Sequence, residues 1–181
     1  KESDGYLSGQ ELCERFGVSR TAVWKVINQL KEEGYEIEAV RNKGYILKSV
    51  SDILSKEELE SSLKTRWAGK EIHYFDRTDS TNIQARLAGE AGASHGTLAV
   101  AEIQDGGRGR RGRNWISPAG VGVWMSLLLR PEISPVSASM LTLVMALAAQ
   151  KGIKEATGIE SQIKWPNDLV LNKKKICGIL T

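Results

Sequence analysis

The chain has 181 residues, of which 41% are hydrophobic and 26% are charged, and its formal net charge is +3. These values are ordinary for a globular protein, and a membrane-spanning chain is excluded because no apolar run approaches the ~20 residues that a bilayer requires. The polar N-terminus carries no signal-peptide core, so we expect a cytoplasmic protein with two reduced, buried cysteines, Cys13 and Cys177. His73 and His95 lie near no cysteine and no paired carboxylates, so no metal site is predicted.

Two short helices are predicted first. Ser8 and Glu11 form an S-x-x-E capping box, which starts a helix that turns Leu12 and Phe16 inward. Ser19 can cap a second helix with one apolar face, formed by Val23, Ile27 and Leu30. A glycine follows each helix, as helix ends favour. Helix, tight turn and helix in succession predict a helix-turn-helix.

A hairpin follows the helices, because YEIEAVRNKGYILKS contains two short strands joined by a turn at residues 41–44. It would be the wing of a winged helix, and its basic residues Arg41, Lys43 and Lys48 have no acid beside them. Basic surfaces of this kind fit duplex DNA, and we predict contacts from Ser19, Arg20, Thr21, Lys25, Asn28, Arg41 and Lys43. The alternative is a helical adaptor whose basic residues are only solvated. Since winged helices normally begin with one more helix, we expect the first helix to be missing.

Residues 1–66 are thus predicted to form a winged helix-turn-helix domain with a linker helix, which Ser55 and Glu58 would cap. Residues 67–181 alternate strands and helices. They include a long strand in GVGVWMSLLLRP and an apolar helix that starts at Ser134 and Pro135. The predicted fold is α+β, with the winged helix followed by a mixed, mainly antiparallel sheet with helices.

The arginine loop, GGRGRRGRNW at residues 106–115, sets four arginines among glycines between two apolar strands. Glycines let the main chain approach a ligand, its N–H groups can form an anion nest, and arginines add forked donors for phosphate or carboxylate. We expect the loop to become ordered when its anion binds. The alternative is a loose nucleic-acid tract, against which the flanking strands argue. Trp115 is as compatible with the core as with stacking on a purine.

Two further stretches carry chemistry near the end of the chain. KWPNDL, residues 164–169, places a cation, an aromatic ring, an amide and a carboxylate at a strand end, where a purely structural turn is the alternative. In KKKICGIL, residues 173–180, Lys175 begins an apolar strand. We therefore predict that Lys175 is a buried point charge that contacts a ligand.

Together, STN at residues 80–82, the arginine loop, KWPNDL and KKKICGIL behind a winged helix resemble the biotin protein ligases that double as biotin operon repressors. The resemblance covers essentially the whole chain. It implies an ATP-dependent ligase that makes biotinyl-5′-adenylate with Mg²⁺ and transfers biotin to a lysine of a biotin carboxyl carrier protein domain. It also implies a repressor that binds operator DNA as a homodimer, with the adenylate as corepressor. In the family the sheet continues beyond this point and a small C-terminal β domain follows, so the ligase domain at 67–181 is expected to be incomplete at its C-terminus.

The resemblance also implies roles for individual residues. Biotin would be bound by Ser80, Thr81, Asn82, Gln104, Arg108, Gly109, Arg110 and Lys175. The nucleotide would be bound by Arg113, Trp115 and Lys164, and catalysis would depend on Lys175, Arg110 and Asp168. Two other functions stay open: a DNA-binding regulator that senses biotin or a related acid without catalysis, and a lipoate ligase, against which the winged helix and the arginine loop argue.

Overall fold

The computed structural model of the chain describes residues 5–32, 34–49 and 54–181. The chain divides into two compact units, Lys1–Ile53 and Leu54–Thr181. Helices and strands occur in both, which agrees with the predicted α+β fold. Among the helices in the described ranges, none is both long and apolar enough to cross a membrane. The predicted boundary between two functional domains at residue 66 stays a prediction. The helix at residues 56–62, which that boundary assigns to the first domain as its linker, packs on the first strand of the second unit.

The first unit is a helix pair followed by an antiparallel hairpin, as predicted for a winged helix-turn-helix: α1 (Gly9–Phe16), α2 (Arg20–Glu32), β1 (Glu36–Val40) and β2 (Gly44–Ser49). Ser8 Oγ accepts a hydrogen bond from the Glu11 backbone N–H at 3.0 Å. Ser19 Oγ accepts one from the Ala22 N–H at 3.2 Å. Both predicted capping contacts are therefore confirmed, and each satisfies a backbone donor that the first helical turn leaves unpaired.

The predicted inward orientation of Phe16 is wrong. Phe16 is 65% exposed, whereas Val23 of α2 is only 7% exposed. Phe16 is the last residue of an eight-residue helix, and Gly17 follows it in the left-handed conformation, with φ 65°. The periodicity identifies the apolar face of α1 but does not ensure that its final turn has a packing partner.

The second unit contains two three-stranded sheets and three α-helices, in the order α3 (Lys56–Ser62), β3 (Ile72–Thr78), α4 (Thr81–Glu90), β4 (Leu98–Gln104), β5 (Trp124–Leu127), α5 (Met140–Thr157), β6 (Gln162–Lys164), β7 (Asp168–Leu171) and β8 (Lys174–Gly178). In the first sheet, β3 is parallel and β5 antiparallel to β4. In the second, β6, β7 and β8 are all antiparallel. The mixed, mainly antiparallel arrangement is confirmed, although it is divided between two sheets.

The long strand predicted in GVGVWMSLLLRP is shorter than expected, because only Trp124–Leu127 pair with β4. The preceding residues, 118–123, form a turn and irregular backbone instead of a strand. Gly120 has φ 72°, and its N–H donates to the side chain of Glu102 at 2.7 Å. The helix predicted at Ser134 also begins later, because residues 135–137 form a 3-10 turn before α5. In both places the backbone adopts a turn that the apolar pattern does not predict.

The core of the second unit centres on β4. Ala99, Val100 and Ala101 are fully buried, and α4, whose Ala85 and Ala88 are also buried, packs on this strand. The small side chains allow the helix and sheet to approach closely. This buried strand leads directly into Gln104 and the arginine loop, so the loop begins from a rigid support.

Glu71 precedes β3 and accepts three side-chain hydrogen bonds. Its Oε1 contacts His73 Nε2 at 2.9 Å, and its Oε2 accepts from Thr97 Oγ at 2.9 Å and from Ser94 Oγ at 3.2 Å. These bonds, with that of His73 the largest cause, lower the pKa of Glu71 from 4.5 to about 2. Donors that favour the carboxylate form stabilise the folded state wherever that form is present.

We predict that Glu71→Gln destabilises the protein at neutral pH and that the difference narrows in acid. The stabilisation by Glu71 is fully present above its unfolded pKa of 4.5 and is lost as the pH falls through about 2. Urea unfolding at a series of pH values from 7 to 3 measures this difference. The exposed Glu132→Gln variant is the control and should change stability by less than about 0.5 kcal/mol. A pH-independent difference would contradict the prediction.

Candidate active site

The arginine loop folds back on itself immediately after β4. The Gly109 N–H donates to Arg113 O at 2.7 Å, and the Trp115 N–H donates to Gly107 O at 2.8 Å. A side chain at Gly107 would collide with the carbonyl oxygen of Trp115, so glycine is needed for this close approach. At the tip, Arg111 has φ 59°, which is uncommon for a residue other than glycine. The loop is therefore a defined turn.

The N-terminus of α4 is tied to β4 through Gln104. Gln104 Oε1 accepts hydrogen bonds from the Thr81 N–H at 2.8 Å and from Thr81 Oγ at 3.1 Å. Its Nε2 donates to Ser117 Oγ at 2.8 Å, and Thr81 Oγ lies 2.9 Å from Ser126 Oγ. Ser80, Thr81 and Ser117 are at most 3% exposed. This buried network fixes the end of β4, the start of α4 and the segment after the arginine loop relative to one another.

The turn between β6 and β7 is joined to the arginine loop by Asn167. Asn167 Oδ1 accepts a hydrogen bond from Arg110 Nη1 at 3.2 Å. The other side-chain atom, Nδ2, donates to Ile179 O at 3.0 Å, and the Ile179 N–H donates to Asn167 O at 2.8 Å. The amide thus connects three segments that are far apart in the sequence.

Lys175 lies on β8 beside a β-bulge. Val170 pairs with Lys175 and Leu169 pairs with Cys177, so Ile176 is the extra residue. Lys175 Nζ is 2.6 Å from Asp168 Oδ1 and 4.8 Å from the centroid of the Trp115 ring. The predicted burial of Lys175 is wrong, because its side chain is 37% exposed. It lies at a cavity wall, where a ligand can reach the ammonium group.

A cavity of about 550 Å³ forms where these segments meet. It brings together every residue predicted to bind biotin: Ser80, Thr81, Asn82, Gln104, Arg108, Gly109, Arg110 and Lys175. Apolar residues around the start of β5 and from β8 onwards complete the wall, among them Val121, Val123, Trp124, Ile176 and Leu180. The cavity therefore combines an apolar surface with polar groups at fixed positions, as small-molecule sites do.

A smaller cavity of about 340 Å³ adjoins the larger one and shares five residues with it: Gly109, Arg110, Trp115, Asn167 and Lys175. It also contains Arg111, Arg113 and Asp168. The predicted nucleotide residues Arg113 and Trp115 are thus together, and Arg110 and Lys175 lie at the junction of the two cavities. Lys164, the third predicted nucleotide residue, is exposed on β6 and lines neither of them.

Among the lining residues that sequence reasoning did not predict, three bear on the geometry of the site. Asn167 stands inside KWPNDL, but nothing in the spacing shows that its amide meets Arg110. In the sequence, nothing distinguishes Arg111 from the other arginines of the loop. In the structure it has a left-handed backbone conformation and lines the smaller cavity. Ser126 reaches Thr81 only through the pairing of β4 with β5. Of the three, only Ser126 carried a signal, because it is a polar residue within an apolar strand.

The predicted buried cysteines are half-buried and free. Cys177 follows the bulge and lines the larger cavity. Burial raises the pKa of its thiol, so the thiol form is favoured in the folded protein.

In the first unit, Arg20, Arg41 and Lys43 line one cavity of about 480 Å³ between α2 and the turn of the hairpin. Arg20 Nη2 donates to Gln10 Oε1 at 3.0 Å, which directs the guanidinium across the start of α1. The other predicted DNA contacts lie outside this cavity: Ser19, Thr21 and Lys25 are exposed, and Asn28 is half-buried. The expectation that the wing has no acid beside its basic residues is wrong for Lys48, which pairs with Glu38 at 3.1 Å.

Comparison with known proteins matches two different families to the two ends of the chain. Residues 74–181 match the biotin/lipoate A/B protein ligase family, and residues 1–46 match a helix-turn-helix domain. The bifunctional ligase/repressor BirA of Bacillus subtilis is 49% identical over 97% of this chain, which spans 54% of that relative's length. The chain thus spans about half the length of the curated relatives it matches most fully.

Solved structures of biotin protein ligases share the fold. One from Aquifex aeolicus, in complex with biotin and ATP, is 36% identical with a TM-score of 0.54, over 61% of this chain and 46% of that one. One from Leishmania major, in complex with biotinyl-5-AMP, is 27% identical with a TM-score of 0.53, over 61% of this chain and 51% of that one. Since the family match alone extends over more than half of its residues, the chain belongs to the biotin/lipoate A/B protein ligase family.

Proposed function

We propose that the chain carries the active site of a biotin protein ligase, which makes biotinyl-5′-adenylate from biotin and ATP and transfers biotin to a lysine of a biotin carboxyl carrier protein. The observation that carries the proposal is the pair of adjoining cavities, with Arg110 and Lys175 at their junction. The solved relatives with biotin and ATP or with biotinyl-5-AMP support it, because each of them binds an acyl group together with a nucleotide phosphate.

The larger cavity suits biotin. Its apolar wall can cover the fused rings and the acyl chain, and the hydrogen-bond network of Thr81, Gln104 and Ser126 offers polar contacts at the N-terminus of α4. The carboxylate end would then lie towards Arg108, Arg110 and Lys175. Arginines match a carboxylate with two parallel hydrogen bonds, which orients it as well as binding it.

The smaller cavity suits the phosphates and the nucleoside of ATP. Arg111 and Arg113 line it, and Trp115 offers an aromatic surface beside them. In the first step, a biotin carboxylate oxygen attacks the α-phosphorus of ATP, and the bond from that phosphorus to pyrophosphate breaks. Negative charge develops where Arg110 and Lys175 converge, so these cations stabilise the transition state without a covalent intermediate on the protein.

In the second step, the neutral amine of the acceptor lysine attacks the acyl carbon, the acyl–phosphate bond breaks, and AMP leaves with the electron pair. The amine loses a proton as the amide forms. Asp168, whose Oδ1 contacts Lys175 Nζ at 2.6 Å, is the carboxylate nearest to this position among the residues lining the two cavities. We assign it to the acceptor amine on this ground and on the family resemblance.

Mg²⁺ would enter with ATP. Within the described residues there is no group of three or more His, Cys, Asp and Glu side chains that could hold a metal ion. Mg²⁺ usually keeps several waters and binds through nucleotide phosphates with one or two carboxylates. Asp168 in the smaller cavity fits that limited role, and the ion would neutralise phosphate charge when bound.

A second function is supported by the first unit. We propose that residues 1–66 act as a winged helix-turn-helix domain with a linker, that residues 67–181 act as the ligase domain, and that the protein represses biotin genes with the adenylate as corepressor. The convergence of Arg20, Arg41 and Lys43 on one cavity supports contact with DNA phosphates. The name of the Bacillus subtilis relative, a bifunctional ligase/repressor, points in the same direction. Two-fold operator symmetry would then require a homodimer.

We predict that the chain, incubated with biotin and MgATP, retains biotinyl-adenylate that mass spectrometry detects after rapid desalting. Lipoate with MgATP is the matched comparison. Retention of lipoyl-adenylate alone would indicate a lipoate ligase. Retention of biotin without adenylate would indicate a sensor that performs no chemistry.

We predict that biotin and ATP together slow tryptic cleavage in the arginine loop at least about tenfold more than either ligand alone, because only the pair engages arginines of both cavities. Peptide mapping over a time course measures cleavage after each arginine. Cleavage after the exposed Lys64, which lines neither cavity, is the internal control and should keep its rate. Equal protection by biotin alone would contradict the shared site.

We predict that Arg20→Ala weakens binding to a DNA duplex of about 30 base pairs and lowers the salt slope of log K by about one, because one phosphate contact is lost. Fluorescence anisotropy at several salt concentrations measures both quantities. Lys31→Ala removes the same charge from the exposed end of α2, outside the cavity, and should change the slope by much less. Biotin binding should be unchanged in both variants, and its loss in Arg20→Ala would show that the two functions are not separable.

A further inference from the structure

We propose that Gly178 is a positioning residue of the active site, because the absence of a side chain there gives the Lys175 amine its place between Asp168 and Trp115. The inference deepens the proposed ligase function and rests on it. It assigns a specific task to a residue that has no side chain to offer a ligand.

The strand register brings Gly178 to this position. Asp168 of β7 lies directly opposite Gly178 of β8. Without the bulge at Ile176, Lys175 and Gly178 would point to opposite faces of β8, because side chains alternate along a strand. The extra residue puts them on one face, so the lysine side chain can fold back along its own strand and reach Asp168.

The space above the Gly178 Cα atom is filled by the Lys175 side chain and the Trp115 ring. A Cβ built on Gly178 would lie 2.9 Å from both Cε and Nζ of Lys175 and 3.5 Å from Cη2 of Trp115. The first two distances are shorter than normal packing allows. Any side chain at this position therefore displaces the lysine amine from the ring face of Trp115 and from Asp168.

The same geometry predicts that the fold tolerates the change. Gly178 is not among the glycines with positive φ, so alanine meets no backbone strain. The crowded atoms are the end of a flexible side chain rather than backbone. Alanine is thus accommodated by moving the amine, which separates the position of Lys175 from the stability of the protein.

The test compares Gly178→Ala with Gly152→Ala, the same change at a helical glycine where an added methyl group would meet nothing within 4 Å. The first readout needs no ligand. The ε-methylene protons of Lys175, assigned by their loss in Lys175→Arg, should be shifted upfield by the ring current of Trp115. In Gly178→Ala this signal should return towards the usual lysine value, whereas Gly152→Ala should leave it unchanged, and both variants should keep the melting temperature within a few degrees.

The second readout is biotin-dependent release of pyrophosphate from ATP. Gly178→Ala should lower kcat at least about tenfold with little change in the KM for biotin, because a misplaced cation fails mainly in the transition state. In a Lys175→Ala background, Gly178→Ala should cause no further loss. An unmoved lysine signal, a wild-type kcat or a fully additive loss would each overturn the proposal. If the unaltered chain makes no adenylate, the ligase function itself fails and this inference fails with it, whatever the lysine signal does.

Discussion

Unbalanced charge is the constraint on which the site depends. Arg108, Arg110, Arg111, Arg113 and Lys175 line the two cavities, and Asp168 is the single acid among the lining residues. In water such cations repel one another weakly, but the repulsion grows as solvent is excluded. The fold limits this cost by dividing the arginines between the two cavities and by giving two of the cations an internal partner, Asn167 for Arg110 and Asp168 for Lys175. An anionic ligand would complete the balance, so ligand binding and closure of the site are expected to be coupled.

Much of the architecture could be predicted from local chemistry. The capping serines, the hairpin turn and the strand before the arginine loop are each specified by a few adjacent residues, and they are found as expected. The exposure of Phe16 could not be predicted in the same way, since it depends on which residues lie against the end of α1. The shortened β5 follows a turn in which the Gly120 N–H donates to the Glu102 side chain, a contact that no periodicity records.

In the site, too, the features that could not be predicted are those that depend on contacts between distant segments. Family resemblance selected residues that the fold then brings around the two cavities, apart from Lys164. The bulge on β8 was not predictable, because a one-residue irregularity in register leaves no mark in an apolar strand. Yet this irregularity determines where the Lys175 amine lies. The sequence indicated that Lys175 is a site residue, whereas the position of its side chain depends on how β7 and β8 pair.

Gln104 shows how far its buried contacts restrict molecular recognition. A glutamine amide offers two N–H donors and two oxygen lone pairs. The two contacts from Thr81 occupy the oxygen, and Ser117 takes one N–H, which leaves a single donor. A ligand group that meets this amide must therefore present an acceptor, such as the carbonyl oxygen of a cyclic urea. A ligand with only a donor at that point would leave the last N–H unpaired, so the hydrogen-bond valence of one side chain acts as a filter on ligand chemistry.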